Sequence, residues 1–224
     1  MNFETKYLIR WGIPGWVFIF WLFFYFSFTQ NNYSEFVKNV PLLISLVVAG
    51  VPLGYLIYQI YFACFWSFRT KDSLNRFRSE LGDKFSTDAT FGTLYENRNK
   101  DYYYLEHVWH SMLLEQDEGV RAYLEGRYRH LLRTIHGVGT LFVSTTGSLI
   151  LVFFLLVRSL IIGEEPLLFY IGIVMQSVIL VAASLNYRYF SDNLRAFQVG
   201  MLNKYLPLNE VPQNLNHVSE MKDK

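Results

Sequence analysis

HGVGTLFVSTTGSLILVFF, residues 136–154, decides the fold class. Its second half is Leu, Ile, Val and Phe, and its first half is rich in Gly, Thr and Ser. A hydrocarbon core about 30 Å thick takes roughly 20 apolar residues of helix, and the run 138–157 supplies them. On a helical wheel His130, Arg133, Gly137, Thr140, Ser144, Gly147 and Ser148 fall on one stripe, which continues as Leu151 and Leu155. The rise from Gly137 to Ser148 is about 16 Å, roughly half the hydrocarbon thickness. A helix that lines a water-filled pore by itself stays polar across the bilayer, whereas this one turns apolar midway. The pattern therefore reads first as a packing surface, since small residues let helices approach and hydroxyls bond across them. A cavity open only to the cytoplasm and a pore gated by dewetting at a hydrophobic constriction are the alternatives.

The rest of the chain agrees with a membrane protein. Of 224 residues, 52% are hydrophobic and 18% aromatic, and only 17% are charged, fewer than a soluble domain carries. The net charge of +1 gives no bulk attraction to nucleic acid, and no direct nucleic-acid binding is expected. Three further runs, 11–28, 41–66 and 166–185, complete an all-α fold of four transmembrane helices. The second run is longer than a bilayer requires, and Pro52 inside it is the expected kink. The first lacks a small-residue cleavage site and reads as a retained anchor. Cys64, the single cysteine, excludes an internal disulfide and reads as a small packed hydrophobe.

Lys and Arg near span ends set orientation. Arg69, Lys71, Arg76 and Arg78 follow the second span, Arg127, Arg129 and Arg133 precede the third, and Arg188 and Arg195 follow the fourth. The connections at 29–40 and 161–165 hold only Lys38, with Arg158 the one dissenter beside them. Both termini and the central segment are thus placed in the cytoplasm. The expected organisation is a transmembrane hairpin at 1–66, a cytoplasmic helical region at 67–136 and a second hairpin at 137–186. A cytoplasmic amphipathic helix at 187–206 and a disordered tail at 207–224 follow.

Outside the spans, Leu74, Phe77 and Leu81 recur with helical spacing before a break at 82–92. A helix over 101–116 presents Tyr102, Leu105, Trp109, Met112 and Leu113. Asp117, Glu118 and Gly119 turn the chain. The next helix presents Val120, Tyr123, Leu124, Arg127, Tyr128, Leu131 and Ile135, and nothing forces it to stop before Val157. Tyr187, Phe190, Leu194, Phe197 and Met201 alternate in steps of three and four, a narrow seam of the coiled-coil type, closed either within the chain or by copies of it. A homo-oligomer is expected.

Gly50 and Gly54 form a GxxxG pair around Pro52, suited to a close helix crossing. Trp11 and Trp16 bracket Gly12, Ile13, Pro14 and Gly15, and such Trp residues at a span end read as interfacial anchors. Glu106, His107 and His110 are the candidate metal ligands, with the residue order wrong for HExxH. Arg127, Arg129, His130 and Arg133 are candidates for lipid headgroups or an acidic ligand. Gln59, Gln176 and Asn186 are the other polar residues in or near spans, and no ionisable group lies near a midplane, which argues against a proton-coupled pump. No catalytic residue and no cofactor is assigned, and no motif resembles a known family.

The functional expectation is a non-enzymatic, oligomeric membrane sensor or effector in a prokaryotic plasma membrane. Its cytoplasmic helices would receive a signal or a protein partner, and its spans would act on the lipid bilayer, as in stress or phage-defence modules. A gated ion channel or transporter and a membrane-embedded metal-dependent enzyme are the alternatives.

Overall fold

The computed structural model describes residues 3–29, 38, 40–66, 77, 80–81, 98–163 and 167–205. Every secondary-structure element among them is helical: α1 (Phe3–Thr29), α2 (Val40–Ile60) continued by one π-helical turn (Tyr61–Trp66), α3 (Arg98–Leu114), α4 (Glu118–Ile162) and α5 (Leu167–Tyr205). Three helices are long and apolar enough to cross a membrane, over Pro41–Cys64, Glu118–Ile162 and Phe169–Tyr205. The apolar stretch of α1, Trp11–Phe26, is shorter. The tail 207–224 and the break at 82–92 lie outside the described residues, as do Arg69, Lys71, Arg76 and Arg78.

Helix α4 runs 45 residues without interruption. Its sequence explains the length: between Glu118 and Ile162 there is no Pro, and its glycines are helical. It ends where Gly163 takes a positive φ of 79°, a backbone conformation glycine adopts without steric cost. Helix α5 likewise runs 39 residues.

The chain divides into two compact units. The first comprises Met1–Ser67 and Arg133–Phe190, and the second comprises Phe68–Leu132 and Ser191–Lys224, so α4 and α5 each contribute to both.

In the first unit, α1 and α2 cross at their glycines. A Cβ on Gly15 would run into the Gly50 carbonyl, and one on Gly54 into the Trp11 carbonyl, so the two backbones lie in contact. Trp16 Nε1 donates to the Val47 carbonyl at 2.8 Å, and Trp11 meets Tyr55 edge-on at 5.4 Å between centroids. Trp16, expected as an interfacial anchor, uses its indole N–H within this crossing, since a donor in apolar surroundings gains from a backbone carbonyl within reach. Trp21, Tyr25, Val152, Leu156 and Phe169 form an apolar cluster, with Tyr25 and Phe169 stacked at 5.0 Å. Away from these contacts large apolar side chains face outward, among them Ile150, Phe153, Phe154, Val174, Val178 and Val181. A surface of that composition suits lipid, which removes the penalty such side chains meet in water. Cys64 is exposed and not a packed hydrophobe, because an apolar residue in a helix facing lipid need not be buried in protein. Pro52 lies inside α2, and a π-helical turn follows at Tyr61–Trp66.

The second unit has its own core. Leu105, Trp109, Met112 and Leu113 of α3 are buried, as are Leu124, Tyr128 and Leu131 of α4 and Leu194, Val199 and Leu202 of α5. Phe77 and Leu81 are buried too. Trp109 is the centre, with ring centroids 5.4 Å from Tyr128 and 5.8 Å from Phe197. Arg195 pairs with Glu80 at 3.5 Å and with Asp192 at 3.1 Å. Tyr123, expected on the apolar face of α4, is instead 68% exposed. The face is narrower than the sequence suggested because it meets its neighbours along Leu124, Tyr128 and Leu131, and Tyr123 lies about 100° round the helix from Leu124.

Candidate functional site

The polar residues of the first unit gather on one side of α4. His136, Thr140, Ser144, Thr145 and Ser148 are all buried there, and Gln176 of α5 is buried against them. Each polar group in such a place needs a partner, because unpaired polar atoms in an apolar medium are costly. Tyr61, in the π-helical turn, brings its hydroxyl to 3.3 Å from His136 Nδ1, a buried pair in which the phenol donates when that nitrogen carries no proton. The Tyr61 ring lies directly over Gly139, where a Cβ would collide with it. Thr140 Oγ1 donates back to the carbonyls of His136 and Gly137, both at 2.9 Å. Ser144 Oγ donates across to the Pro14 carbonyl of α1 at 2.6 Å. Ser148 Oγ donates to the Thr145 carbonyl at 3.0 Å and accepts from Gln176 Nε2 at 3.2 Å.

The column is therefore fastened to all three neighbours: to the turn after α2 at His136, to α1 at Ser144 and to α5 at Ser148. Beyond Ser148 the next buried positions of α4, Val152 and Leu156, are apolar and lie within the Trp21, Tyr25 and Phe169 cluster, and a buried polar residue recurs only at Ser159. Two atoms of the column are left over. Thr145 Oγ1 and Gln176 Oε1 are buried and have no hydrogen-bond partner.

The stripe read from the sequence is thus placed unevenly. Thr140, Ser144 and Ser148 are buried in this column, while His130, Arg133 and Gly137 are exposed. A Cβ on Gly137 would meet nothing within 4 Å, and one on Gly147 would reach only ordinary contact with Phe18 at 3.4 Å. The close approach falls on Gly139 instead. Leu151 is exposed and Val152 takes its place inside. The physical reason is that α4 is covered from two sides, by Pro14 of α1 and Gln176 of α5. The buried arc is then wider than one stripe and includes Thr145 beside Ser144. Sequence reasoning left out Thr145 and Tyr61, and it named Gln176 only as a polar residue in a span, without placing it in the column. An amide within an apolar run was the available signal for Gln176.

The remaining candidates lie elsewhere. Arg127, Arg129 and His130 are exposed, and Arg129 is paired with Glu125 one turn away. Glu106 accepts a hydrogen bond from the Tyr128 hydroxyl at 2.6 Å, so its carboxylate is part of the packing between α3 and α4. His110 Nδ1 donates to the Glu106 carbonyl at 2.7 Å, leaving Nε2 as its available ligand atom, and His107 is exposed. Among the described residues no group of three or more His, Cys, Asp and Glu is placed to hold a metal ion. Of the α5 seam, Tyr187 and Leu194 are buried, Phe190 and Met201 are half-buried, and Phe197 packs on Trp109 of the same chain. Gly50 and Gly54 are occupied by α1, as described above.

Compared with protein-family models, curated proteins and solved structures, the chain matches none.

Proposed function

We propose that the protein is a non-enzymatic membrane sensor or effector with four spans. In this reading α1 is the additional span, both termini and the helical region 67–136 are cytoplasmic, and the membrane is a prokaryotic plasma membrane. The second compact unit receives a signal or a protein partner, α4 and α5 carry the response into the spans, and copies of the chain assemble in the bilayer. A stress or phage-defence module is the setting such a plan fits.

One observation carries the reading. Helix α4 runs 45 residues without a break. At 1.5 Å per residue that is about 67 Å, against about 30 Å of hydrocarbon. The same helix carries Tyr128, packed on Trp109 in one unit, and Ser144 and Ser148, which lie in the polar column of the other. A helix whose residues belong to both units is the kind of contiguous element through which coupling can be carried. The basic residues flanking the spans support the orientation, and α1, at 27 residues or about 40 Å, has the length for a span.

A second reading, a gated ion channel, is favoured by the column itself, which is polar from His136 to Ser148 and closed by Val152, Leu156 and aromatic rings. Ion flux through the purified protein in liposomes, with its oligomeric state measured in the same detergent, separates the two. A stable oligomer without flux is expected for a sensor or effector, and flux from an oligomer would replace that reading with the channel. Leu194→Asp should abolish the cellular effect without stopping insertion. Retention of the effect would remove the second unit from the mechanism.

A further inference from the structure

We infer that Thr145 and Gln176 frame a buried site for one water molecule, at the point where the polar column of α4 gives way to its apolar end. Gln176 is fully buried and its amide is already aimed at the column, with Nε2 donating to Ser148 Oγ at 3.2 Å. Its other atom, Oε1, is an acceptor without a donor. Thr145 is fully buried, and its hydroxyl neither donates nor accepts. Helical threonines commonly bond the carbonyl one turn back, as buried Thr140 and half-buried Thr146 do at 2.9 Å and 2.8 Å. Thr145 departs from that habit.

The two atoms are neighbours by connectivity. Thr145 and Ser148 are three residues apart, hence on one helix face, and Ser148 Oγ is bonded both to the Thr145 carbonyl and to Gln176 Nε2. The Gln176 amide therefore lies against the turn that carries Thr145. The two groups are also chemically complementary to the same guest. An amide oxygen wants a donor, and a hydroxyl offers one proton and accepts another. Water satisfies both at once and has further capacity for Ser148, giving the two to four partners that buried waters make.

A cation fits less well. The site holds no carboxylate, and a bare ion in a neutral, water-excluded place carries a large desolvation cost. The proposal holds whether the protein senses, effects or conducts.

The test is a double-mutant cycle on the full chain in one detergent, read as the midpoint of thermal unfolding, with Thr145→Val, Gln176→Met and the pair. Ser148→Ala controls for loss of the Gln176 Nε2 bond. Each single change takes a partner from the shared water and weakens its hold on the other group, so each should lower the midpoint by roughly 2–12 °C. The pair should then lie close to the worse single change. Additive effects, or single changes that leave the midpoint unchanged or raise it, overturn the proposal. An experimental map of the wild-type chain at a resolution that shows waters completes the test. Coupling with a density peak within hydrogen-bond distance of Gln176 Oε1 supports the site. Coupling without one means that the two side chains bond directly, and the water is then discarded.

Discussion

Two glycines that the sequence treats alike should respond to alanine with opposite signs. Gly54 and Gly137 are both helical and both belong to small-residue patterns in or beside a span. In an open helix, Gly→Ala stabilises by about 0.5–1 kcal/mol because alanine loses less backbone entropy. Gly137 is that case, since a Cβ there meets nothing within 4 Å. At Gly54 the new Cβ runs into the Trp11 carbonyl, a backbone atom of α1 that cannot rotate away. Overpacking of this kind costs typically 1–3 kcal/mol. The upper part of that range applies because Gly15 meets the Gly50 carbonyl at the same crossing, so the helices cannot slip to make room. Offset by the propensity gain, Gly54→Ala should cost about 1–2 kcal/mol net. The gap between the two variants is then about 2–3 kcal/mol, or roughly 4–12 °C at 2–4 °C per kcal/mol for a chain of this size. Thermal unfolding of the full chain in one detergent, followed by tryptophan fluorescence, reads it directly, because Trp11 and Trp16 sit at the crossing. If Gly54→Ala raises the midpoint as Gly137→Ala does, α1 and α2 do not cross in backbone contact and the architecture of the first unit is wrong.

Other substitutions probe the remaining contacts. Trp109→Ala removes a fully buried ring that touches Tyr128 and Phe197, and should destabilise the second unit by about 3–5 kcal/mol. Limited proteolysis should then cut within 98–132 while the chain still inserts, and an unchanged cleavage pattern would contradict the packing of that core. Ser144→Ala deletes the bond to the Pro14 carbonyl and should cost about 0.6 kcal/mol, the average for hydrogen bonds between membrane helices. A loss several times larger would mean that the hydroxyl holds more than α1. Tyr128→Phe strips Glu106 of its 2.6 Å donor inside the α3–α4 contact and should cost about 1–3 kcal/mol at neutral pH. No effect on unfolding would return Glu106 to solvent, where metal binding with His107 and His110 becomes testable by metal analysis.

How much of this was readable before any coordinates depends on what each pattern measures. Apolar length is a one-dimensional property, and α4 and α5 follow from it: no Pro interrupts either run, and both continue well past the bilayer thickness. The core faces around Leu105, Trp109 and Leu124 were equally legible, because 3.6-residue periodicity reports which side of a helix is covered. The partner that covers a face is a three-dimensional property, and here the sequence was mute. Gly50 and Gly54 advertised a close crossing without naming α1, and Trp16 carried an ordinary interfacial signature while bonding a backbone carbonyl.

The small-residue stripe on α4 shows the limit most clearly. Glycine in a membrane helix has two meanings, close approach or mere permissiveness, and only the neighbour distinguishes them. Gly139, which sequence reasoning passed over, meets the Tyr61 ring, and Gly137, which it chose, meets nothing within 4 Å. The hydroxyls are better guides than the glycines, because an unpaired hydroxyl in hydrocarbon is penalised wherever it points. Thr140, Ser144 and Ser148 were accordingly found inside, and the residues they fasten to mark where the other helices must lie. By the same logic two buried polar atoms of this column, Thr145 Oγ1 and Gln176 Oε1, which fasten to nothing in the chain, mark where something outside the chain belongs.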